Sequence, residues 1–154
     1  MIRPGTPDDA AALTALARAA KASWGYPDAW LREWEPQLTI TREYLTTQTV
    51  FVAETAGGIV GMIGVETGAD GPEIGHLWVS STHQGEGWGR RLVEAAVAVA
   101  TQRQWPALRI LSDPHAVAFY TRLGAVHVAD EPAPVAGVER TLPVLRLPIG
   151  APPR

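Results

Sequence analysis

Gly85, Gly87 and Gly89 pace a turn within Leu77-Trp78-Val79-Ser80-Ser81-Thr82-His83-Gln84-Gly85-Glu86-Gly87-Trp88-Gly89-Arg90-Arg91-Leu92, a segment that reads as a strand, a tight loop and the first turn of a long helix. Without side chains, such residues let the backbone take positive φ and approach a ligand closely. The first amides of the following helix lack internal acceptors, and together with the positive end of the helix dipole they favour an anion. The chemistry indicated is capture of a phosphate. The spacing is not GxxxxGK[ST], because no Lys-Ser or Lys-Thr follows, and not GxGxxG, because the third glycine comes one residue early. Nucleoside-triphosphate and dinucleotide readings are therefore weak.

Gln84-x-x-Gly87-x-Gly89, placed after a strand ending Leu77-Trp78-Val79, resembles the coenzyme-A loop of the GNAT superfamily of N-acetyltransferases, written [Gln/Arg]-x-x-Gly-x-[Gly/Ala]. A second block, Asp113-Pro114-His115-Ala116-Val117-Ala118-Phe119-Tyr120-Thr121-Arg122-Leu123-Gly124-Ala125, is similar to the later signature of that family, Asn-x-x-Ala-x-x-Phe-Tyr-x-x-x-Gly-Phe. The order of the blocks and the strand between them also agree, so the resemblance spans nearly the whole chain. Two positions depart from it: Asp113 replaces the usual Asn, and Ala125 stands where Phe or Tyr is usual.

The resemblance implies an α/β (α+β) fold in a single domain over residues 1–150, with a frayed tail at 151–154. A central mixed, mostly antiparallel sheet with a V-shaped strand splay would be flanked by helices. Acetyl-CoA, as co-substrate and without a metal, would lie in the V between Glu73–Ser80 and Leu108–Leu111. Its pyrophosphate would rest on Gln84, Gly85, Glu86, Gly87, Trp88, Gly89 and Arg90, and its pantetheine would run along Leu77, Trp78 and Val79. A backbone N–H aimed at the thioester oxygen would also stabilise the negative charge of a tetrahedral intermediate. Asp113, Ala116 and Tyr120 would complete the cofactor side. An ionised Asp113 caps a helix well but cannot donate the amide hydrogen bond an Asn would give. Tyr120 is where the family often places the group that protonates the departing thiolate, and a phenol, protonated at neutral pH, suits that task.

Acetylating an amine also requires a proton to leave, since an alkylammonium with a pKa near ~10 is roughly one part in a thousand free base at pH 7. Strand alternation puts residues 73, 75, 77 and 79 on one face, which makes Glu73 the first candidate for the base. His76 is its rival, because imidazole titrates near working pH, but alternation turns it to the opposite face. A bulge in this strand would reverse that ranking. His83 and His115, in a loop and a helix cap, read as solvent or cofactor neighbours. The acceptor side falls to the crowded aromatics Trp24, Tyr26, Trp30 and Trp34. Trp30 and Trp34, at helical spacing, read as core, whereas the turn Trp24-Gly25-Tyr26-Pro27-Asp28 presents aromatics and a carboxylate, Asp28, that would pair with an ammonium group.

The elements that must position these groups are legible as well. Thr6 caps a helix opening with Pro7, and Leu13, Leu16, Ala17 and Ala20 repeat at helical spacing. Further helical stretches run over Pro27–Glu35 and Thr41–Thr47. Strands are expected at Val50–Glu54, Ile59–Glu66, Glu73–Ser80, Leu108–Leu111, Val126–Ala129 and Thr141–Leu147. A long helix at Trp88–Gln102 would lay Leu92, Ala95, Ala96 and Val99 on the sheet. A shorter helix, capped by Asp113 with Pro114 at its first position, stops at Gly124.

The chain has 154 residues, 46% hydrophobic and 19% charged, which suits one globular domain with a real core. No apolar run is long enough to span a membrane and Met1-Ile2-Arg3-Pro4-Gly5 lacks the core of a signal peptide, so a cytoplasmic protein is expected. Zero cysteines exclude a disulfide framework, a thiolate metal site and a cysteine nucleophile, so acyl transfer would be direct or use another nucleophile. A net charge of −3, with Lys21 the single lysine, argues against a nucleic-acid surface. Beside an active N-acetyltransferase acting on a primary amine of a small molecule, amino acid or peptide stand two other readings. One is a CoA-binding sensor module without catalysis; the other is a toxin-like acetyltransferase acting on aminoacyl-tRNA, which the lack of a basic surface disfavours. The aromatic N-terminal region or the last strand would offer a homodimer surface.

Overall fold

Seven strands build one sheet in the order β1-β2-β3-β4-β5-β7-β6 in the computed structural model, which describes residues 1–150; the tail at 151–154, expected to fray, lies outside the described residues. The strands are β1 (Ile2–Pro4), β2 (Thr49–Thr55), β3 (Gly58–Gly68), β4 (Gly71–Val79), β5 (Ala107–Leu111), β6 (Val126–Pro132) and β7 (Thr141–Pro148). Every neighbouring pair is antiparallel except β4 and β5, which run parallel and share the single register pair Glu73↔Arg109. Beyond that pair the two strands diverge, β4 toward Val79 and β5 toward Leu111. This is the expected V. It leaves one edge of β4 with unpaired backbone groups from its middle onward.

Helices cover both faces. The helix α5 (Trp88–Gln102), long enough for four turns, buries Leu92, Val93, Ala96 and Ala100 against Ile63, Val65, Leu108 and Leu145. Its stripe is rotated slightly from the one expected, with Val93 and Ala100 buried and Ala95 and Val99 only half-buried. Beside it the short helix α6 (Val117–Arg122) contributes Tyr120 to the same core. On the opposite face α1 (Ala10–Ala22) and α4 (Arg42–Thr47) bury Leu13 and Leu45 against Val52 and Met62. Between them α2 (Asp28–Glu33) and α3 (Glu35–Leu38) pack Trp34 and Leu38 on Ala17. The sequence pattern missed β1 and α3, which are too short for any periodicity to show. Arg3 holds β1 down through ion pairs with Asp9 at 2.9 Å and Glu54 at 3.1 Å. No helix among the described residues is long and apolar enough to cross a membrane.

One irregularity matters for the site. In the β3–β4 ladder Gly64 faces His76 and Val65 faces Ile74, so Gly75 is an extra residue without a partner, a β-bulge. The alternation of β4 therefore changes phase: Ile74 lies in the same core as Leu77 and Val79, while His76 and Trp78 point the other way. The expectation that residues 73, 75, 77 and 79 share a face is corrected by this bulge. Gly75 and Gly64 also leave room for a hydrogen bond from the Tyr44 hydroxyl to Glu66, 2.8 Å long. A Cβ at Gly75 would collide with the Glu66 carboxylate, and one at Gly64 with the Tyr44 hydroxyl. Gly75→Ala should accordingly lower stability by about 1–3 kcal/mol, the usual cost of overpacking. Chemical denaturation of the two proteins side by side measures it.

Candidate active site

The loop from β4 to α5 is assembled from its glycines and one glutamine. Gln84 donates its side-chain amide to the Val79 carbonyl at 3.0 Å, closing the turn. Gly85 (φ 78°) and Gly87 (φ 86°) are in the left-handed region, with open space where a Cβ would stand. The first helical hydrogen bond of α5 runs from Arg91 N–H to the Gly87 carbonyl at 3.1 Å, so the amides of Trp88, Gly89 and Arg90 have no carbonyl partner among the described residues. A Cβ on Gly89 would lie 3.1 Å from the Phe119 ring, because the helix start presses against α6. Those free amides face a cleft of about 480 Å³ running along β4 from Gln84, Gly85, Gly87 and Arg90 to Val79, Trp78 and Leu77. Glu86 lies outside it, its carboxylate accepting the Trp88 indole N–H at 3.2 Å.

A second cleft, about 410 Å³, opens on the other side of the splay and is lined by Lys21, His76, Asp113 and Arg140. The two clefts share Trp24, Leu77, Trp78, Ala116 and Tyr120. Tyr120 thus stands at their junction. Its ring is buried at 5% exposure, and its hydroxyl has no hydrogen-bond partner among the described residues. Burial pushes the phenol pKa up, so the hydroxyl keeps its proton across the physiological range.

Residues 46–124, half of the chain, match the family model described as the acetyltransferase (GNAT) domain. The chain belongs to the GNAT family of acetyltransferases. Its fold is similar to that of a GCN5-related N-acetyltransferase from Rhodopseudomonas palustris, with 22% identity, a TM-score of 0.80 and coverage of 96% of this chain and 94% of the other. A PaiA N-acetyltransferase from Thermoplasma acidophilum, solved in complex with coenzyme A, is 13% identical with a TM-score of 0.76, over 96% of this chain and 98% of that one. The ribosomal-protein-S18-alanine N-acetyltransferase of Escherichia coli is 18% identical with a TM-score of 0.72, over 98% and 94%.

In this GNAT acetyltransferase the polar groups of the second cleft converge on Asp113. Its Oδ2 accepts from Lys21 Nζ and from the Tyr26 hydroxyl, both at 2.8 Å. Its Oδ1 accepts the His115 backbone N–H at 2.9 Å, as an N-cap should, and contacts His115 Nδ1 at 2.8 Å. Arg140 completes the cluster, donating to the Tyr26 hydroxyl at 2.9 Å. It arrives on the β6–β7 hairpin, which folds over the helices: Val135 packs on Trp34, and the Glu33 carboxylate accepts the Ala136 amide at 3.0 Å. The ring centroids of Tyr26, Trp30 and Trp34 lie 5.2–5.6 Å from the guanidinium carbon, and Lys21 Nζ lies 4.3 Å from the Trp34 centroid.

Asp113 therefore belongs to the second cleft rather than to the coenzyme side, with both oxygens occupied. Asp28 sits exposed at the start of α2 and, like Tyr26, lines neither cleft, while Trp24 lines both; Tyr26 reaches the second cleft only through its hydrogen bond to Asp113. Glu73 lines neither cleft: its carboxylate is ion-paired with Arg109 at 2.5 Å, and Arg109 also holds Glu131 at 2.8 Å. Burial pushes the Glu73 carboxyl up against the pull of Arg109, so that its charge depends on this partner. Lys21 and Arg140 are the residues the sequence did not disclose. That Lys21 is the only lysine was a signal; an arginine in a proline-rich loop gave none.

Two histidines are held in opposite tautomers by what faces their Nδ1. At His76 the partner is the Trp78 indole N–H, 3.0 Å away, which can only donate, so Nδ1 accepts and the ring proton sits on Nε2. Burial keeps this ring neutral by lowering its pKa. At His115 the partner is an ionised carboxylate, which can only accept, so Nδ1 carries the proton and Nε2 presents a lone pair. His115 stacks on Trp24 at 5.2 Å with the ring planes 7° apart, and lines the first cleft. His83 lines that cleft too, near the glycine loop.

Burial alone would raise the Asp113 pKa, but hydrogen bonds from Lys21, the His115 amide and Tyr26 outweigh it and hold the carboxyl at about 2, below its ordinary 3.8. The folded state thus prefers the ionised form, so this stabilisation is present above pH ~4 and is lost as the pH falls toward ~2. At about 1.4 kcal/mol for each tenfold change in proton affinity it is worth about 2 kcal/mol. Unfolding free energy measured by denaturant at pH 7 and at pH 3 should show about half of that loss in the wild type and a smaller acid dependence in Asp113→Asn. At pH 7 the variant should be less stable by about 2–3 kcal/mol, because the cations it leaves behind are no longer compensated.

Proposed function

We propose that this GNAT acetyltransferase binds acetyl-CoA along the first cleft and transfers its acetyl group directly to a primary amine, of a small molecule, an amino acid or a peptide, presented from the second. The observation that carries the reading is that two clefts, one ending in unpaired helix amides, meet at the protonated hydroxyl of Tyr120. The free amides of Trp88, Gly89 and Arg90 suit a pyrophosphate, and Gly85 and Gly87 leave the space it needs. That the PaiA relative was solved with coenzyme A supports the same donor here.

Acetyl-CoA supplies an activated acyl carbon with a thiolate as leaving group. The amine nitrogen forms its bond to that carbon while the carbonyl electron pair moves onto oxygen. An N–H on the unpaired edge of β4, at Leu77 or Val79, would hold the resulting negative charge. Collapse of the tetrahedral intermediate breaks the C–S bond, and the Tyr120 hydroxyl is placed to give the thiolate its proton. Proton removal from the amine is assigned to His115, whose Nε2 lone pair is free and whose orientation is set by Asp113. Neither base named from the sequence has this property. Glu73 is spent on Arg109, and His76 offers the cleft a donor.

Calorimetric titration of acetyl-CoA should give micromolar binding that disappears in Gly87→Glu, where a side chain is forced into the phosphate position at a left-handed φ. Retention of full affinity by that variant would overturn the donor site. With an acceptor in hand, Tyr120→Phe should cut kcat by about 100-fold. His115→Gln should lose a similar factor at pH 7 and recover it as the pH approaches that of the free amine, near ~10. A pH–rate profile for Glu73→Gln should keep the wild-type shape.

A further inference from the structure

We infer that the second cleft grips its acceptor through an anionic group, and that the acceptor is an amine bearing a carboxylate, held by Lys21 and Arg140; this rests on the assignment of that cleft to the acceptor made above. Charge balance is the first ground. The cleft carries two side-chain cations, Lys21 and Arg140, against one carboxylate, Asp113. Asp113 is saturated by Lys21, Tyr26 and the backbone N–H and ring Nδ1 of His115, and its nearest oxygen lies 3.7 Å from the Arg140 guanidinium, too far for a hydrogen bond. One positive charge is left over in a sheltered place, where Coulomb interactions are stronger than in water.

Donor capacity is the second ground. Among the described residues only one N–H of the forked guanidinium of Arg140 has a partner, the Tyr26 hydroxyl. Its side chain is 14% exposed, yet no sealed polar side-chain atom among the described residues lacks a partner, so the remaining donors reach open cleft. His76 adds an Nε2–H from the opposite wall. Ser112 is occupied by the Asp113 carbonyl, and Gln37 is exposed. The inner wall therefore offers donors and no free charged acceptor, the reverse of a site built for an ammonium group alone.

Geometry narrows the anion. A surplus of one charge matches a monoanion, and a planar guanidinium fork, set among the rings of Tyr26, Trp30 and Trp34, fits the two oxygens of a carboxylate. The amine of such a molecule would then reach toward Tyr120 across Leu77 and Trp78, which line both clefts. Arg140 is in this scheme a specificity residue, not a participant in bond making.

The test is a release assay for coenzyme-A thiol with the proteinogenic α-amino acids, each paired with its carboxamide, and with phosphoethanolamine as a phosphate-bearing amine. At least one acid should exceed its own amide by about 30-fold or more in kcat/KM, as expected when a charged partner in a sheltered site is removed. Arg140→Gln should shrink that ratio to within about threefold, mainly by raising KM, and Arg140→Lys should restore part of it. Amides equal to their acids throughout would overturn the carboxylate assignment even if acetyl-CoA binds by calorimetry. A stronger preference for phosphoethanolamine than for any acid would overturn it in favour of a phosphate. Absence of acetyl-CoA binding in calorimetry would instead remove the transfer reading on which it rests. If Arg140→Gln does not fold, the comparison of acid with amide in the wild type still decides.

Discussion

Two parallel strands that meet at one residue pair and then part open the two clefts described above. An ordinary ladder between β4 and β5 would fill their edges with mutual hydrogen bonds and close the sheet. Here the pairing stops after Glu73↔Arg109, and the ion pair between those two side chains, extended to Glu131 on β6, clamps the vertex. From that point the helices α5 and α6 sit under the gap and the helices α1 to α4 above it. The freed backbone edge of β4 becomes a surface for ligand, and the two sides of the gap become two clefts. Glu73 is thus better understood as the rivet of the V than as a participant in chemistry.

The interior of the second cleft depends on the charge of one residue. At the position where relatives of this pattern carry Asn, Asp113 supplies a negative charge that an amide could not, and Lys21, Arg140, Tyr26 and His115 arrange themselves around it. The same carboxylate caps the turn leading into α6, and so ties the helix that carries Tyr120 to the helix that carries Lys21. A hydrogen-bonded cluster of this kind is costly to leave half-made, and each partner specifies the placement of the others. Tyr26 and the tryptophans under the cations add rigidity rather than a separate recognition surface.

The phosphate loop and the long helix were legible from local rules, because Gly85 and Gly87 need left-handed angles and α5 begins and ends where Trp88 and Gln102 indicated. Tyr120 was legible from its neighbours in a motif. The phase of β4 was not, since a one-residue bulge leaves no mark beyond a glycine, and its effect was to break the shared face read for residues 73, 75, 77 and 79. The charge cluster was beyond local reasoning for a different cause. Lys21 and Asp113 lie 92 residues apart, and Arg140 and Tyr26 are separated by 114, with no periodicity connecting them. The carboxylate beside Tyr26 is Asp113, from the loop after β5, whereas Asp28 stays exposed at the start of α2.

The single lysine has one more consequence. Thioesters acylate exposed lysine amines without any enzyme, a hazard for a protein that binds acetyl-CoA in the way proposed above. This chain meets its need for positive charge with arginines, which are unreactive toward acyl groups, and holds its one ε-amine 13% exposed against Asp113 at 2.8 Å. Burial lowers the Lys21 pKa, and the hydrogen-bonded Asp113 carboxylate offsets that only in part. The one ε-amine is thus tied to a carboxylate inside the second cleft and does not line the cleft proposed for the donor.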